Sequence, residues 1–223
     1  MECPKKTRFY GVYELEGSLA TKNNSPGFAV YDEKLVRAGG SEYRMWNPNR
    51  SKLAASILKG MKNLPIVGKT SVLYLGASYG TTPSHISDIA SKGAVYCIEF
   101  SENSMRKLLK VCEKKGNMIP MLGDARKPEE YQNLIQDVDF IYQDVAQPDQ
   151  AEILIRNSRC FLKKGDFALI AIKARSIDTA RDPKEVFLEE QKRLSGVFDI
   201  VESIDISKYH KDHLVLLLRF RQC

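Results

Sequence analysis

Residues 71–83 read Ser71-Val72-Leu73-Tyr74-Leu75-Gly76-Ala77-Ser78-Tyr79-Gly80-Thr81-Thr82-Pro83. A five-residue apolar run stops at a glycine turn, and the turn leads directly into a helix start. Proline suits a first helical turn because no N–H donor is needed there. Ile86, Ile89 and Ala90 follow at helical spacing, and Gly93 ends the pattern. Such a strand–turn–helix unit lets backbone approach a ligand closely and aims helix N–H groups at it.

The same rhythm repeats outward. Short apolar runs recur at 94–98, 118–122, 138–142 and 167–172, and helical segments separate most of them. Ser101 is placed to cap a helix carrying Met105, Leu108, Leu109 and Cys112, which Gly116 ends. A further helix is predicted over 150–164, stopped by Gly165, and Asp182-Pro183 opens another with Val186, Phe187 and Leu194. Upstream, Asn47-Pro48 supplies an N-cap and first-turn proline to a helix with Leu53, Ile57 and Met61 inward. Strands alternating with helices predict an α/β fold, a parallel sheet covered on both faces. The end departs from this. Runs 198–206 and 214–220 are joined only by loop 207–213, too short for a parallel crossover, so they must pair antiparallel. A Rossmann-like, mostly parallel seven-stranded sheet closed by a C-terminal antiparallel hairpin is similar to the class I S-adenosylmethionine-dependent methyltransferase arrangement.

The first 46 residues look different. Runs 9–13 and 28–31 are aromatic and β-branched, the cluster Asn23-Asn24-Ser25-Pro26-Gly27 separates them, and Gly39-Gly40 breaks the chain before Tyr43. They predict a small antiparallel β unit over 1–46, ahead of a methyltransferase domain over 47–223.

A net charge of +6 and a pI near 9.0 mildly favour a polyanionic partner. No apolar run approaches the ~20 residues needed to span a bilayer, so no membrane association is expected. The opening Met1-Glu2-Cys3-Pro4-Lys5-Lys6 has no apolar h-region, so signal-peptide export is not expected either. Cys3, Cys97, Cys112, Cys160 and Cys223 are scattered and form no C-x-x-C pair. That points to reduced thiols, with no disulfide and no metal site, and Cys97 and Cys112 read as small core hydrophobes.

In open α/β sheets ligands bind beyond the carboxyl ends of the strands, so the residues just past each run are informative. The ends carry Gly76-Ala77-Ser78 through Thr81-Thr82, then Glu99-Phe100, Gly123-Asp124-Ala125, Asp144-Val145-Ala146-Gln147 and Lys173. Glu99 lies 23 positions after Gly76, close to the ~20-residue interval of an acid gripping ribose hydroxyls. A dehydrogenase shares this first half, but the turn lacks full G-x-G-x-x-G spacing.

Four segments are more specific: Trp46-Asn47-Pro48-Asn49-Arg50-Ser51-Lys52-Leu53-Ala54-Ala55, the stretch Tyr74 to His85, Asp144-Val145-Ala146-Gln147-Pro148, and Ile172-Lys173-Ala174-Arg175-Ser176. With them the chain resembles the fibrillarin family over nearly its whole length. The glycine–arginine-rich extension of nucleolar fibrillarins has no counterpart, so the resemblance is to the short archaeal form, expected in the cytoplasm (the nucleolus for a eukaryotic source). The resemblance implies an S-adenosylmethionine-dependent 2′-O-ribose methyltransferase of rRNA, with tRNA a second target class. It implies a catalytic subunit working with a Nop-family scaffold protein, a kink-turn-binding ribosomal-type protein, a box C/D guide RNA and the target rRNA.

Carried onto matching positions, Gly76, Ala77, Ser78, Thr81, Thr82, Glu99, Phe100, Asp124, Ala125, Asp144, Val145, Ala146 and Gln147 are expected to line the cofactor site. Glu99 would accept from ribose hydroxyls and Asp124 from the adenine amine. Phe100 would cover the adenine face, or simply be a buried strand-end aromatic. Relatives use a Lys-Asp-Lys plus His or Glu constellation, matched by Lys52, Asp144, Lys173 and His213. Lys173, ending an apolar strand, is the candidate base. Asp144 is expected to orient it and to complement the sulfonium, with Lys52 and His213 positioning the ribose. Their alternatives are a solvated helix face for Lys52 and a turn residue for His213. A catalytically idle particle subunit is the competing reading of the whole. No RNA-binding module is recognisable, so target choice is expected to be delegated to guide pairing. The N-terminal β unit and its neighbouring helices are the expected scaffold-docking surface.

Overall fold

A computed structural model describes residues 3–221. Five short strands come first: β1 (Lys5–Lys6), β2 (Val12–Leu15), β3 (Ser18–Lys22), β4 (Leu35–Ala38) and β5 (Ser41–Met45). They form an antiparallel sheet in the order β1-β2-β3-β5-β4. Gly39-Gly40, both at positive φ, makes the two-residue turn between β4 and β5, the geometry whose twist suits a hairpin. The aromatic run 28–31 is not a strand. The Glu33 carboxylate takes the N–H groups of Val30 and Tyr31 at 2.8–3.0 Å, satisfying locally the donors a strand partner would need. The missing strand is the more polar β3, and run 9–13 enters β2 only at Val12.

After Met45 the alternation takes over with α1 (Lys52–Leu58), β6 (Val72–Leu75), α2 (Thr81–Ile89), β7 (Val95–Glu99), α3 (Glu102–Lys114), β8 (Met118–Leu122), β9 (Phe140–Gln143), α4 (Gln150–Phe161), β10 (Phe167–Lys173), α5 (Ala174–Ile177), α6 (Pro183–Leu194), β11 (Phe198–Asp205) and β12 (His213–Phe220). Ser51, rather than Asn47, caps α1 by accepting from Ala54 N; Asn47 instead stabilises the preceding turn through Asn49 N. Ser101 and Asp182 cap α3 and α6 as the spacing predicts. The short α5 is absent from the sequence reading.

The second sheet runs β11-β12-β10-β9-β6-β7-β8. From β10 to β8 every pairing is parallel, and β12 pairs antiparallel with both β10 and β11. Successive residues serve opposite faces: Val72 and Tyr74 join one apolar cluster, Leu73 and Leu75 the other. Burial on both faces is why these strands read as unbroken apolar runs. Cys97 and Cys112 are buried free thiols; Cys223 lies outside the described residues.

A buried ionic cluster ties the first sheet to α2 and α3. Arg44 donates to Glu33 (2.6 Å), Asp88 (2.9 Å) and Ser84 Oγ (2.9 Å). Lys115 spends its three protons on Asp88 (2.6 Å), Asn23 Oδ1 (2.9 Å) and Asn24 Oδ1 (2.7 Å).

Candidate functional site

From central β6 the chain runs to β7 and β8 on one side and to β9 and β10 on the other. Such a switch leaves a crevice at the carboxyl ends of the two diverging strands. Asp144 N still donates to Leu75 O at 2.9 Å, and beyond it the loops part. Gly76 makes the turn at φ +82°, where a Cβ would lie 2.5 Å from Asp144 O, so a side chain there would push the two loops apart.

The resulting cleft of about 520 Å³ gathers every cofactor and catalytic residue expected from the sequence. Gly76, Ala77, Ser78, Thr81 and Thr82 come from the β6 turn, Glu99 and Phe100 from the end of β7, and Asp124 and Ala125 from beyond β8. Asp144, Val145, Ala146 and Gln147 follow β9, Lys173 ends β10, His213 starts β12 and Lys52 starts α1.

At one end the Glu99 carboxylate is held by two backbone donors, Ser78 N at 2.7 Å and Ser101 N at 2.8 Å. Ser78 sits at φ +50°, an uncommon conformation that here turns its N–H onto Glu99. Phe100 is 64% exposed, so it is a free aromatic face at the rim and not a buried strand-end residue. Asp124 is gripped by Arg126, whose Nη2 reaches Oδ2 at 2.6 Å; this guanidinium holds the carboxyl below the usual carboxylate range. Thr82 is buried and donates to Ser51 Oγ at 3.0 Å. Its hydroxyl therefore joins the cofactor-loop helix to the α1 cap.

At the other end Lys52 Nζ meets Asp144 Oδ2 at 2.7 Å. The pair is half-buried, so Lys52 belongs to the cleft and not to a solvated helix face. This changes the expected role of Asp144, which pairs with Lys52 and not with Lys173. Lys173 is fixed through its backbone, Gln150 Oε1 accepting from Lys173 N at 3.0 Å and Gln150 Nε2 donating to Lys173 O at 3.2 Å. No acceptor among the described residues is bonded to its ammonium. Across the antiparallel ladder Lys173 registers with His213.

His213 is buried, not a turn residue. Burial pushes its pKa below the ordinary value, against the opposing hydrogen bond to Lys211 O. That bond, Nδ1 to Lys211 O at 2.7 Å, needs Nδ1 protonated, so in the neutral ring Nε2 is left as an acceptor. His210, missed in the sequence, packs 5.8 Å from His213 and donates to Pro48 O at 2.8 Å.

The sequence does not single out Arg50, Tyr79 and Arg126 as site residues either. Arg50 lines the cleft, with its guanidinium 5.6 Å from the Tyr31 ring centre and no carboxylate partner among the described residues. Tyr79 carries Lys107 Nζ over its face at 4.2 Å. Arg50 and Tyr79 lie inside the segments that carry the family resemblance, yet only the three-dimensional lining distinguishes them from their neighbours. Among the described residues no group of three or more His, Cys, Asp or Glu could hold a metal, and no helix is long and apolar enough to cross a membrane.

A seven-stranded sheet with an antiparallel closing strand, a glycine turn at its switch point and an acid at each neighbouring strand end defines a class I S-adenosylmethionine-dependent methyltransferase. The Fibrillarin family model matches residues 3–222, and the chain belongs to the fibrillarin family. A Methanocaldococcus jannaschii protein named fibrillarin-like rRNA/tRNA 2′-O-methyltransferase is 53% identical over 218 residues, 95% of each chain. The structure of Aeropyrum pernix fibrillarin with natively bound S-adenosyl-L-methionine is 44% identical with a TM-score of 0.89, over 97% of this chain and 98% of that one. Fibrillarin in a fibrillarin/Nop5p complex is 43% identical with a TM-score of 0.90, over 96% of this chain and 100% of that one.

Proposed function

We propose that this chain is an S-adenosylmethionine-dependent RNA 2′-O-ribose methyltransferase acting on rRNA and tRNA. In this reading it is the catalytic subunit of a particle built on a Nop-family scaffold, with a kink-turn-binding protein and a box C/D guide RNA. The observation that carries the chemistry is one cleft with a pinned acid at its cofactor end and, at the other, a lysine with no bonded partner among the described residues beside a buried histidine.

The cleft suits the cofactor in size and donor set. Its volume of about 520 Å³ falls in the range of small-molecule sites, ~300–1,000 Å³. Glu99 is pre-oriented to accept from ribose hydroxyls, Asp124 to accept from the adenine amine, and Phe100 offers a flat apolar face. Asp144 supplies negative charge where a sulfonium would sit, and the bound cofactor would supply a methyl group on that positively charged sulfur.

The remaining work belongs to the chain. The target 2′-hydroxyl must lose its proton, and the amine of Lys173, when neutral, can accept it. His213 Nε2 can accept a hydrogen bond from the ribose and fix its orientation. Lys52 holds Asp144 in place and contributes positive charge toward the RNA backbone. Arg50, over the Tyr31 ring and with no carboxylate partner among the described residues, adds a phosphate contact at the cleft.

No RNA-binding module is recognisable in the sequence, which supports guide pairing as the source of specificity. The test is a reconstituted particle with radiolabelled cofactor, comparing matched and mismatched guides with the chain alone. Methylation confined to the matched particle is expected. Robust guide-independent methylation by the isolated chain would contradict the reading.

A further inference from the structure

Asp124 is committed before any ligand arrives. Arg126 Nε lies 3.0 Å from both of its carboxylate oxygens, and Nη2 lies 2.6 Å from Oδ2. Arg126 N also donates to Oδ1 at 3.0 Å. A carboxylate has about two lone-pair sites on each oxygen. The guanidinium fork takes the facing pair on both, and the backbone N–H takes the second on Oδ1. The Nε–H is shared between the two oxygens, so these three hydrogens leave one of the four sites, on Oδ2, without a donor among the described residues, on an acid that lines the cleft.

The clamp is built on a fixed loop. Buried Asn157 donates to Ala125 O at 2.8 Å and is itself held by Tyr131 OH. Lys127 N closes a turn onto Asp124 O at 2.9 Å. The Arg126 side chain is 43% exposed, so its removal frees the acid without opening the core.

We propose that Arg126 is a positioning residue for purine recognition: by clamping Asp124 it leaves a single outward acceptor, which selects a 6-amino purine over a 6-oxo purine. The inference rests on the cofactor reading of the cleft. An exocyclic amine donates to that acceptor, whereas a 6-oxo group presents lone pairs to it and is repelled. An unclamped carboxylate could rotate away from either ligand and would discriminate little.

The test uses calorimetry on the full chain with S-adenosylhomocysteine and its inosyl counterpart, for wild type, R126A and R126K. Wild type is expected to prefer the adenosyl ligand by roughly tenfold or more, the scale of one hydrogen bond to a charged acceptor. In R126A the preference should shrink to within about threefold, chiefly through weaker adenosyl binding, and R126K should restore part of it. The same preference in R126A as in wild type would overturn the proposal, and so would an equal loss of both ligands, which marks loop damage. If wild type binds neither ligand, the cofactor reading falls first and this inference with it.

Discussion

Arg44, Glu33, Asp88 and Lys115 make one charged cluster; Lys52, Asp144, Lys173 and His213 make another. The first is sealed: the side chains of Arg44, Asp88 and Lys115 have no exposure, cations and anions balance two to two, and every Lys115 proton has an acceptor. Burial draws the Lys115 ammonium down to about 8, which still leaves it charged at neutral pH. The second cluster is half-open. One ion pair forms at 2.7 Å with both partners partly exposed, and the Lys173 ammonium has no bonded partner among the described residues. A network with all valences filled can only hold structure, since any proton that moved would strand a buried charge. An incomplete network in a cleft has a free group to offer a substrate.

The largest expected effect lies in the sealed cluster. Asp88→Ala leaves buried Lys115 with no carboxylate and Arg44 with Glu33 alone, and should cost about 3–5 kcal/mol of stability. For a domain of this size that lowers Tm by roughly 6–20 °C in a thermal melt. An unmoved Tm would dissolve the contrast between the two clusters.

A smaller effect comes from the histidines. His85, inside the sealed region, bonds Thr21 Oγ1 through Nδ1 and Tyr31 OH through Nε2, both at 2.8 Å. Thr21 donates onward to Asp88, so it must accept from Nδ1–H, and the ring is neutral with Nε2 accepting from Tyr31. Burial, with Arg44 and Lys115 nearby, pushes the His85 pKa well below 6.5, and burial lowers His213 as well. Both rings take up protons less readily in the fold than in the unfolded chain, which does so near pH 6.5. Their stabilising contribution is therefore complete above that pH and declines as pH falls below it. The loss is up to about 1.4 kcal/mol per pH unit for each ring that stays neutral. Melts at pH 7.5 and 5.5 should show a Tm drop that His85→Gln reduces; a flat profile would mean a charged His85 in the fold.

The smallest effect belongs to the open pair. Lys52→Ala should change stability by about 1 kcal/mol or less, as partly exposed ion pairs do. A loss comparable to that of Asp88→Ala would make the cleft pair structural.

The sequence exposes the two regions unequally. The second sheet is legible because burial on both faces leaves runs such as 71–75 and 167–172 uninterrupted, and its edge acids fall directly after them. The first sheet is misread at 28–31, where an aromatic run satisfies its backbone through Glu33, while polar β3 carries the pairing. Arg44, Asp88 and Lys115 look like ordinary surface charges, since their partnership depends on segments 44 and 27 positions apart. In the cleft the residues are legible but their pairing is not: Asp144 reads as the partner of Lys173, and the fold gives it to Lys52, 92 positions away.

The central claim is that the incomplete cluster performs the chemistry through Lys173. Single-turnover methylation by the reconstituted particle, at saturating cofactor and matched guide, tests it with Lys173→Ala. The variant should keep the wild-type Tm and cofactor affinity while its rate falls about 10²–10⁴-fold, the span of a positioned acid–base group. A rate within about tenfold of wild type, below what that span allows, would contradict Lys173 as the proton acceptor.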